Sequence, residues 1–152
     1  MNLNNIADNI VYRIAGTLYW TEDADGSIWV LLARRTYDSL LGRVYSYAIP
    51  TVELKGNENA ESAASRAVHD ELGIMPETAS FSKFFSEKSG NIEVTLYSKH
   101  VHRKINAKCK GAYKDAMWFC LPDDCKIDDG DLLLRDELLA FASSLNGKSI
   151  AV

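Results

Sequence analysis

The first fifty residues are dominated by apolar runs of the kind that form β-strands. Residues 10–20 mix β-branched and aromatic side chains and predict a strand. Residues 28–35 are almost continuously apolar and predict a central strand that is buried on both faces. The Asp-Gly pair at positions 25–26 is a strong signal for a hairpin turn between the two. Residues 36–47 are less regular and predict a loop that leads to a short strand at residues 47–50.

The middle of the chain changes from a strand pattern to a helical one and back again. Residues 50–59 contain the sequence KGNEN and predict a loop, because glycine and asparagine suit a turning backbone. Residues 60–72 follow with a modest apolar side at helical spacing, and Gly73 is a good C-terminal stop. Residues 81–86 and 92–102 predict two strands separated by the turn sequence EKSGN.

The last third of the chain predicts a loop, a strand and a helix. Residues 103–114 are rich in lysine and arginine and predict a basic loop, and residues 116–121 predict a short strand. Residues 131–145 are amphipathic and predict a helix. Its apolar residues recur at helical spacing: Leu134, Leu138 and Phe141. The order of strands, helix, strands and helix predicts an α/β (α+β) fold, with a mixed β-sheet and packed helices.

Composition narrows the class of protein. At 152 residues, with 47% hydrophobic and 25% charged residues, the chain is typical of a single soluble globular domain over residues 1–152. It has no apolar run long enough to span a bilayer, and its N-terminus lacks the pattern of a secretory signal, so a cytoplasmic location is expected. The net charge of −4 argues against binding to duplex nucleic acid, but it does not exclude a single nucleotide.

The cysteines do not predict a metal site. Cys109, Cys120 and Cys125 contain no C-x-x-C pair, so they are expected to be reduced thiols rather than zinc ligands or a disulfide framework.

The densest chemistry lies in the sequence SRAVHDELGI at the end of the predicted helix. At about 100° per residue, Asp70 and Glu71 share a flank with Ala67, and Glu58 enters from the preceding loop. Three close carboxylates can hold Mg²⁺ or Mn²⁺, which prefer oxygen ligands. Such an ion neutralises a diphosphate and activates a water. Adjacent acids on a helix are nevertheless more often a solvated face, so this pattern is weak by itself.

The spacing over residues 52–74 strengthens the case, because it resembles the Nudix box, G-x5-E-x7-R-E-U-x-E-E-x-G-U, where U is aliphatic. Matching positions are Glu58, Arg66, Val68, Glu71, Gly73 and Ile74, and Asp70 stands where the family has glutamate. The segments WVLLARR and DAMWFCLPDD also resemble parts of Nudix domains. The resemblance covers about residues 10–145. It implies a Nudix-like mixed sheet sandwiched between helices, and a Mg²⁺- or Mn²⁺-dependent hydrolase of a diphosphate linkage in a nucleoside diphosphate-type substrate.

The resemblance also assigns roles to the matching residues. Asp70 and Glu71 would hold the metal, and Arg66 would anchor the loop. Glu58 would either ligate the metal or pair with Arg66, and the two roles are equally supported, since a carboxylate and a guanidinium pair bidentately. The implied catalytic set is thus Glu71, Asp70, Arg66 and Glu58, and the implied metal set is Asp70, Glu71 and Glu58.

The sequence departs from the box at important positions. Thr51 and Val52 replace the paired glycines, and Ala67 replaces a glutamate that in this family ligates metal or handles the attacking water. Either another acid replaces that glutamate or turnover is weak. The candidate acids are Glu53, Glu93 and Asp115, and the sequence does not choose among them. An alternative function follows: a catalytically impaired Nudix-fold module that binds a nucleotide or a protein partner.

Two arginines at the end of the second strand are further candidates. Arg34 and Arg35 can contact a substrate phosphate through their planar sets of donors, although a polar strand end in water explains them equally well. The expected partner is therefore a small-molecule diphosphate. The resemblance also allows a homodimer.

Overall fold

The computed structural model describes residues 11–39, 42–74, 81–109, 113–121, 141 and 144–145. In these ranges the chain forms seven strands and one complete helix. The strands are β1 Tyr12–Glu22, β2 Ile28–Ser39, β3 Gly42–Ala48, β4 Thr51–Glu53, β5 Ser82–Ser89, β6 Ile92–His100 and β7 Tyr113–Leu121, and the helix is α1 Ala60–Leu72.

Strand β1 is the centre of the mixed sheet. Along one edge it pairs in parallel with the whole of β6, from Tyr12 opposite Ile92 to Trp20 opposite His100. Its other edge is shared, because β4 pairs antiparallel with residues 14–16 and β2 pairs antiparallel with residues 20–22. The strand that pairs with this edge of β1 therefore changes between residues 16 and 20. One of the two partners, β4, precedes the loop that leads into α1.

Strand β2 connects the two halves. It pairs antiparallel with β7 from Ile28 to Arg35, with a register shift between Arg34 and Arg35. Its other edge pairs with β1 at one end and with β3 from Ala33 onwards. The prediction of a mixed sheet is thereby confirmed.

Both faces of the sheet are covered by apolar packing. Val68 and Leu72 of α1 pack with Tyr19 and Leu31 on one face. On the other face Phe141 packs with a cluster that includes Leu18. Residues 141 and 144–145 are helical, as predicted for residues 131–145, and the rest of that predicted helix lies outside the described residues.

Two predicted loops contain strands. Residues 36–47 were expected to be a loop, but β2 continues to Ser39 and pairs with β3 as far as Gly42. Leu40-Leu41 carries none of the Asn-Gly or Asp-Gly signal by which a two-residue hairpin is recognised, so the sequence pattern failed there. The start of the predicted loop 50–59 was also wrong, since β4 pairs with β1, and the loop begins only at Leu54.

Helix α1 has the boundaries that the sequence predicts. The Asn59 Oδ1 accepts a hydrogen bond from the Ser62 N–H at 2.8 Å, which satisfies a free donor of the first turn. Gly73 ends the helix at φ 65°, a left-handed conformation that favours glycine, and its N–H donates to the His69 carbonyl. The helix buries a side made of small and branched residues, namely Ala63, Ala64, Ala67, Val68 and Leu72.

Two close contacts fix α1 and β4 against β1. The Thr17 hydroxyl donates a buried hydrogen bond of 3.0 Å to the Ala64 carbonyl, which ties the helix to the strand. Gly16 lies so near the chain that a Cβ there would lie 2.4 Å from the Pro50 carbonyl oxygen. Only glycine therefore allows this approach, and the entry to the Thr51–Glu53 strand is held in place.

Two further observations concern the cysteines and the length of the helices. Cys109 is a free thiol, and Cys125 lies outside the described residues. No helix within the described ranges is both long enough and apolar enough to traverse a lipid bilayer.

Candidate active site

An ion pair closes the loop that enters α1. The Arg66 Nε and Nη2 donate to the two carboxylate oxygens of Glu58 at 3.1 and 2.9 Å. The Arg66 Nη2 also donates to the Glu53 carbonyl at 2.8 Å, and Glu58 Oε1 accepts from the Lys55 N–H at 3.0 Å. Residues 53–58 are thus held at both ends by one guanidinium.

This pair shifts the pKa of both groups. Hydrogen bonds from Arg66, and then from the Lys55 backbone, lower the pKa of Glu58 from 4.5 to about 2. The hydrogen bond to Glu58 raises the pKa of Arg66. Both oxygens of Glu58 accept hydrogen bonds from Arg66, which is the geometry of the pairing role, and ligation of a metal by Glu58 stays a prediction.

The two consecutive acids near the end of α1 have different surroundings. Asp70 is exposed, and its Oδ1 lies 3.0 Å from the Nδ1 of the exposed His69. Glu71 is half-buried, and its Oε2 is hidden from solvent with no hydrogen-bond partner in the described ranges. Ala67, one turn before Glu71, is fully buried. The helix flank that carries these residues thus runs from solvent at Asp70 to the protein interior at Ala67.

The residues of this flank fit one hard cation held by two carboxylates. A buried carboxylate oxygen without a donor is costly, and an ion is one of the ordinary ways to satisfy it. Mg²⁺ is commonly held by one or two carboxylates, with water and substrate phosphates completing its coordination. Across the described residues, no group of three or more histidine, cysteine, aspartate or glutamate side chains is arranged to hold an ion. Asp70 and Glu71 are adjacent, whereas Glu58 is turned toward Arg66.

A second polar group lies where strands β3, β2 and β7 run side by side. Tyr47, Arg34 and Asp115 are direct register partners across these strands. The Arg34 Nη2 donates to Asp115 Oδ2 at 2.9 Å, and the Tyr47 hydroxyl donates to the same oxygen at 3.4 Å. Asp115 Oδ1 is buried and has no hydrogen-bond partner in the part of the chain that the structure describes. Arg34 is therefore already neutralised by a carboxylate, while the side chain of Arg35 lies outside the described part of the structure.

The segment between β6 and β7 connects this group to α1. Its Lys108 N–H donates to the Leu72 carbonyl at 2.8 Å, at the end of the helix. Burial raises the pKa of the Cys109 thiol, and the negative charges of Asp115 and Glu71 raise it further.

The other two candidate acids lie in different surroundings. Glu53 is exposed on β4, and its carbonyl accepts from Arg66. Glu93 pairs in register with Arg13 on one side and with Lys88 on the other, so cationic residues flank its position. Only Asp115 is shown to influence a group that Glu71 also influences.

Sequence reasoning missed one residue of this region. Tyr113 was assigned to a basic loop, but it begins β7 and is buried. Its hydroxyl accepts a hydrogen bond of 3.1 Å from the Thr51 N–H, at the first residue of β4. Residues 114–115 are both charged and residues 116–121 are all apolar, so no alternation in the sequence pointed to Tyr113 as a strand residue.

Comparison with solved structures identifies the fold. A C. elegans Ap4A hydrolase, solved as a binary complex, has a TM-score of 0.66 and 22% identity, with 90% of this chain and 99% of that chain covered. The NUDIX domain of Shewanella oneidensis NrtR, solved with ADP ribose, has a TM-score of 0.66 and 15% identity, with 95% and 98% covered. A MutT/nudix family protein from Enterococcus faecalis has a TM-score of 0.63 and 14% identity.

These likenesses show that the chain has the Nudix fold, as the box resemblance predicts. The match covers 79% of this chain but only 51% of the Enterococcus faecalis protein, so this chain spans about half of that protein's length. No protein-family model matches the sequence, and no curated protein matches it.

Proposed function

We propose, from the Nudix fold and the geometry of α1, that this chain hydrolyses a diphosphate linkage in a nucleoside diphosphate-type substrate with the help of Mg²⁺ or Mn²⁺. The observation that carries the proposal is Glu71 Oε2, a carboxylate oxygen that is hidden from solvent and has no hydrogen-bond donor among the described residues. A purely structural glutamate at this position would be paired or fully solvated.

Asp70 and Glu71 are the residues that would hold the cation. When bound there, the cation neutralises the charge of the diphosphate and lowers the pKa of a water for attack on phosphorus. Arg66 and Glu58 act as positioning residues, because their pair fixes residues 53–58 relative to the helix that carries the acids. This role needs both oxygens of Glu58, so Glu58 contributes through Arg66 rather than as a ligand.

Asp115 is the best supported replacement for the glutamate that is absent at position 67. Its Oδ1 is buried and has no hydrogen-bond partner among the described residues. The charges of Asp115 and Glu71 both raise the pKa of the Cys109 thiol. Arg34 contacts substrate phosphate only when it exchanges Asp115 for the substrate, because the two are paired at 2.9 Å. Arg35 remains the other arginine proposed to contact phosphate.

The experiment is hydrolysis of a panel of diphosphate compounds, including ADP-ribose and Ap4A, by the purified chain with Mg²⁺, with Mn²⁺ and with chelator. We expect metal-dependent release of products that is lost in Glu71→Gln and retained in Glu87→Gln, an exposed position on β5. Absence of product above background at high enzyme concentration, with every compound and both ions, would remove the catalytic claim.

A binding module is the second candidate, and the burial of Ala67 favours it. The position that normally supplies a glutamate is fully enclosed, and both oxygens of Glu58 accept hydrogen bonds from Arg66, which leaves Asp70 and Glu71 as the acids of the box available to a ligand. The NrtR NUDIX domain, a similar fold, is solved with ADP ribose bound. Thermal stabilisation by ADP-ribose that is equal with and without divalent ion, together with no hydrolysis, would establish this function instead.

A further inference from the structure

Positive charge is concentrated in one short part of this acidic chain. Residues 99–114 contain six of the 17 lysine and arginine residues and two of the three histidines, but none of the 21 aspartate and glutamate residues. Like charges that are grouped in this way repel one another, and an anionic partner removes that cost. The proposed hydrolysis uses none of these charges, so they need another explanation.

The structure describes residues 99–109 of this stretch, here called the basic segment, and hydrogen bonds hold it in one path. The Val101 N–H donates to the Trp20 carbonyl at 2.9 Å. The Ile105 carbonyl accepts a hydrogen bond of 3.0 Å from the Trp118 Nε1. The far end of the segment contacts α1, so the segment is fixed before any ligand arrives and binding costs little further conformational entropy.

The basic segment partly buries its apolar residues and exposes its polar ones. Val101, Ala107 and Cys109 pack against the cluster that contains Val68 and Leu72. The exposed side chains of the segment beyond β6 can all donate hydrogen bonds: His102, Arg103, Lys104, Asn106 and Lys108. The segment is therefore an anchored row of donors and not a loose solvated loop.

The protein itself uses one of these cations and leaves two for a ligand. The Lys104 Nζ lies 3.4 Å from the centre of the Trp29 ring and 3.7 Å from the Asp23 Oδ2. Arg103 and Lys108 are exposed, and neither side chain forms an ion pair with an acid in the described ranges. Arg103 and Lys108 are therefore the cations available to a phosphate.

A cavity of about 260 Å³ lies at the start of the basic segment, beside the end of α1. Its lining carries cationic and aromatic side chains, with no acid among the described lining residues, and includes Tyr19, Ile74, Lys99, His100, His102 and Ile105. The centres of the His100 and His102 rings lie 5.4 Å apart, and His100 lies 4.4 Å from the Trp20 ring. Unpaired bases stack on rings of this kind.

We propose that the basic segment and this cavity bind single-stranded nucleic acid, with phosphates at Arg103 and Lys108 and one base on the His102 ring. A strand fits the surface because the exposed donors are spread over residues 102–108 and do not converge on one phosphate. A duplex does not offer an unstacked base to the ring. This second function depends on no step of the proposed hydrolysis.

The test is fluorescence anisotropy of a labelled single-stranded RNA of about ten nucleotides, and of a DNA of the same sequence, in chelator and over a range of salt concentrations. We expect Arg103→Gln and Lys108→Gln each to lower the affinity about five-fold at 0.1 M salt, and to reduce the slope of log affinity against log salt by about 0.7. Lys88→Gln makes the same change of charge at an exposed position on β5 and should alter neither quantity.

The ring gives a second measurement. We expect His102→Ala to weaken binding about ten-fold, as loss of one stacking platform does, and His102→Phe to restore it. Binding of either strand with these dependences supports the proposal, and the ratio of the two affinities tells RNA from DNA. Equal losses in Lys88→Gln and Lys108→Gln would show an unspecific effect of net charge and would overturn the proposal. An affinity for the strand that equals the affinity for inorganic polyphosphate, and that does not change in His102→Ala, would overturn it as well.

These outcomes are separable from failure of the proposed hydrolysis, because binding is measured in chelator and without turnover. Strand binding that depends on Arg103 and His102, in a protein that hydrolyses no diphosphate, would remove the hydrolase function and support the strand surface. Metal-dependent hydrolysis without binding of either strand would do the reverse. Displacement of the bound strand by ADP-ribose would place the strand at the acids of α1 and would overturn the surface assigned here.

Discussion

Arg66 and Glu58 are joined by two hydrogen bonds, of 3.1 and 2.9 Å, although they are eight residues apart. The side chains are only 21% and 19% exposed, so the pair is shielded from solvent far better than an ordinary surface ion pair. The pair therefore helps to hold the loop before α1 in place, and its contribution to the free energy of unfolding can be measured.

The first prediction concerns pH. The pKa of Glu58 is lowered to about 2 in the folded chain, so its contribution to stability is complete above the unfolded value of 4.5 and is lost as pH falls from there toward 2. We expect Glu58→Gln to lower the free energy of unfolding by about 1–2 kcal/mol at pH 7. In urea titrations the difference from wild type should shrink through that acidic window. Glu87→Gln, at an exposed position, should show no such trend, and a Glu58→Gln difference that is constant with pH would contradict the assignment.

The second prediction concerns the position at which the box lacks its glutamate. Ala67 is fully buried, so Ala67→Glu places a carboxylate where no solvent reaches. We expect this variant to lose about 2–4 kcal/mol of unfolding free energy, and to gain no diphosphatase activity. Ser62→Glu, on an exposed position of the same helix, should be nearly neutral in chemical denaturation. A stable Ala67→Glu protein with raised activity would show that the flank opens to admit the new acid.

The third prediction concerns Glu71. Its unpaired, hidden oxygen makes the charged side chain unfavourable when no cation is present. Glu71→Gln should therefore be as stable as the wild type, or more stable by up to about 1 kcal/mol, in chelator. Mn²⁺ should raise the melting temperature of the wild type but not that of Glu71→Gln. If both proteins respond equally to Mn²⁺, the ion binds elsewhere.

The fourth prediction concerns the reactivity of the Cys109 thiol. Burial, Asp115 and Glu71 all raise the pKa of Cys109, so less of it is thiolate at pH 8 than of an unperturbed cysteine. We expect iodoacetamide to alkylate Cys109 slowly in the wild type and faster in Asp115→Asn. Peptide mass spectrometry measures the two rates. Glu22→Gln, an exposed acid on β1, is the control and should not change the rate. An unchanged rate in Asp115→Asn would place Asp115 too far away to act.

The parts of the fold with local signals were the parts that the sequence predicted. Helix α1 needed only a cap at Asn59, a stop at Gly73 and an apolar side between them, and each is a property of neighbouring residues. The pairing of β2 with β3 was missed because the sequence between them carries no turn signal, and β4 was missed because its pairing depends on a strand elsewhere in the chain. At β4, three residues form a strand only because Gly16 lets them approach β1.

In the candidate site, too, the contacts between residues that are distant in the sequence were the ones that could not be predicted. The family resemblance made pairing of Glu58 with Arg66 one of two equally supported roles, and the two side chains are paired in the structure. The burial of Ala67 depends on how closely an alanine-rich helix packs against a strand, which no local pattern states. The pairing of Arg34 with Asp115 joins residues 81 positions apart and required the β2–β7 register.

The parallel pairing of β1 with β6 has a consequence for biosynthesis. The longest ladder of the central strand joins residues 12–20 to residues 92–100, so this pairing cannot form until about two thirds of the chain has left the ribosome. Until then β1 presents an unpaired edge next to the apolar residues of β2. Because late, non-local pairing lengthens exposure of such edges, nascent chains halted before residue 92 should be the form that chaperones retain and that aggregates.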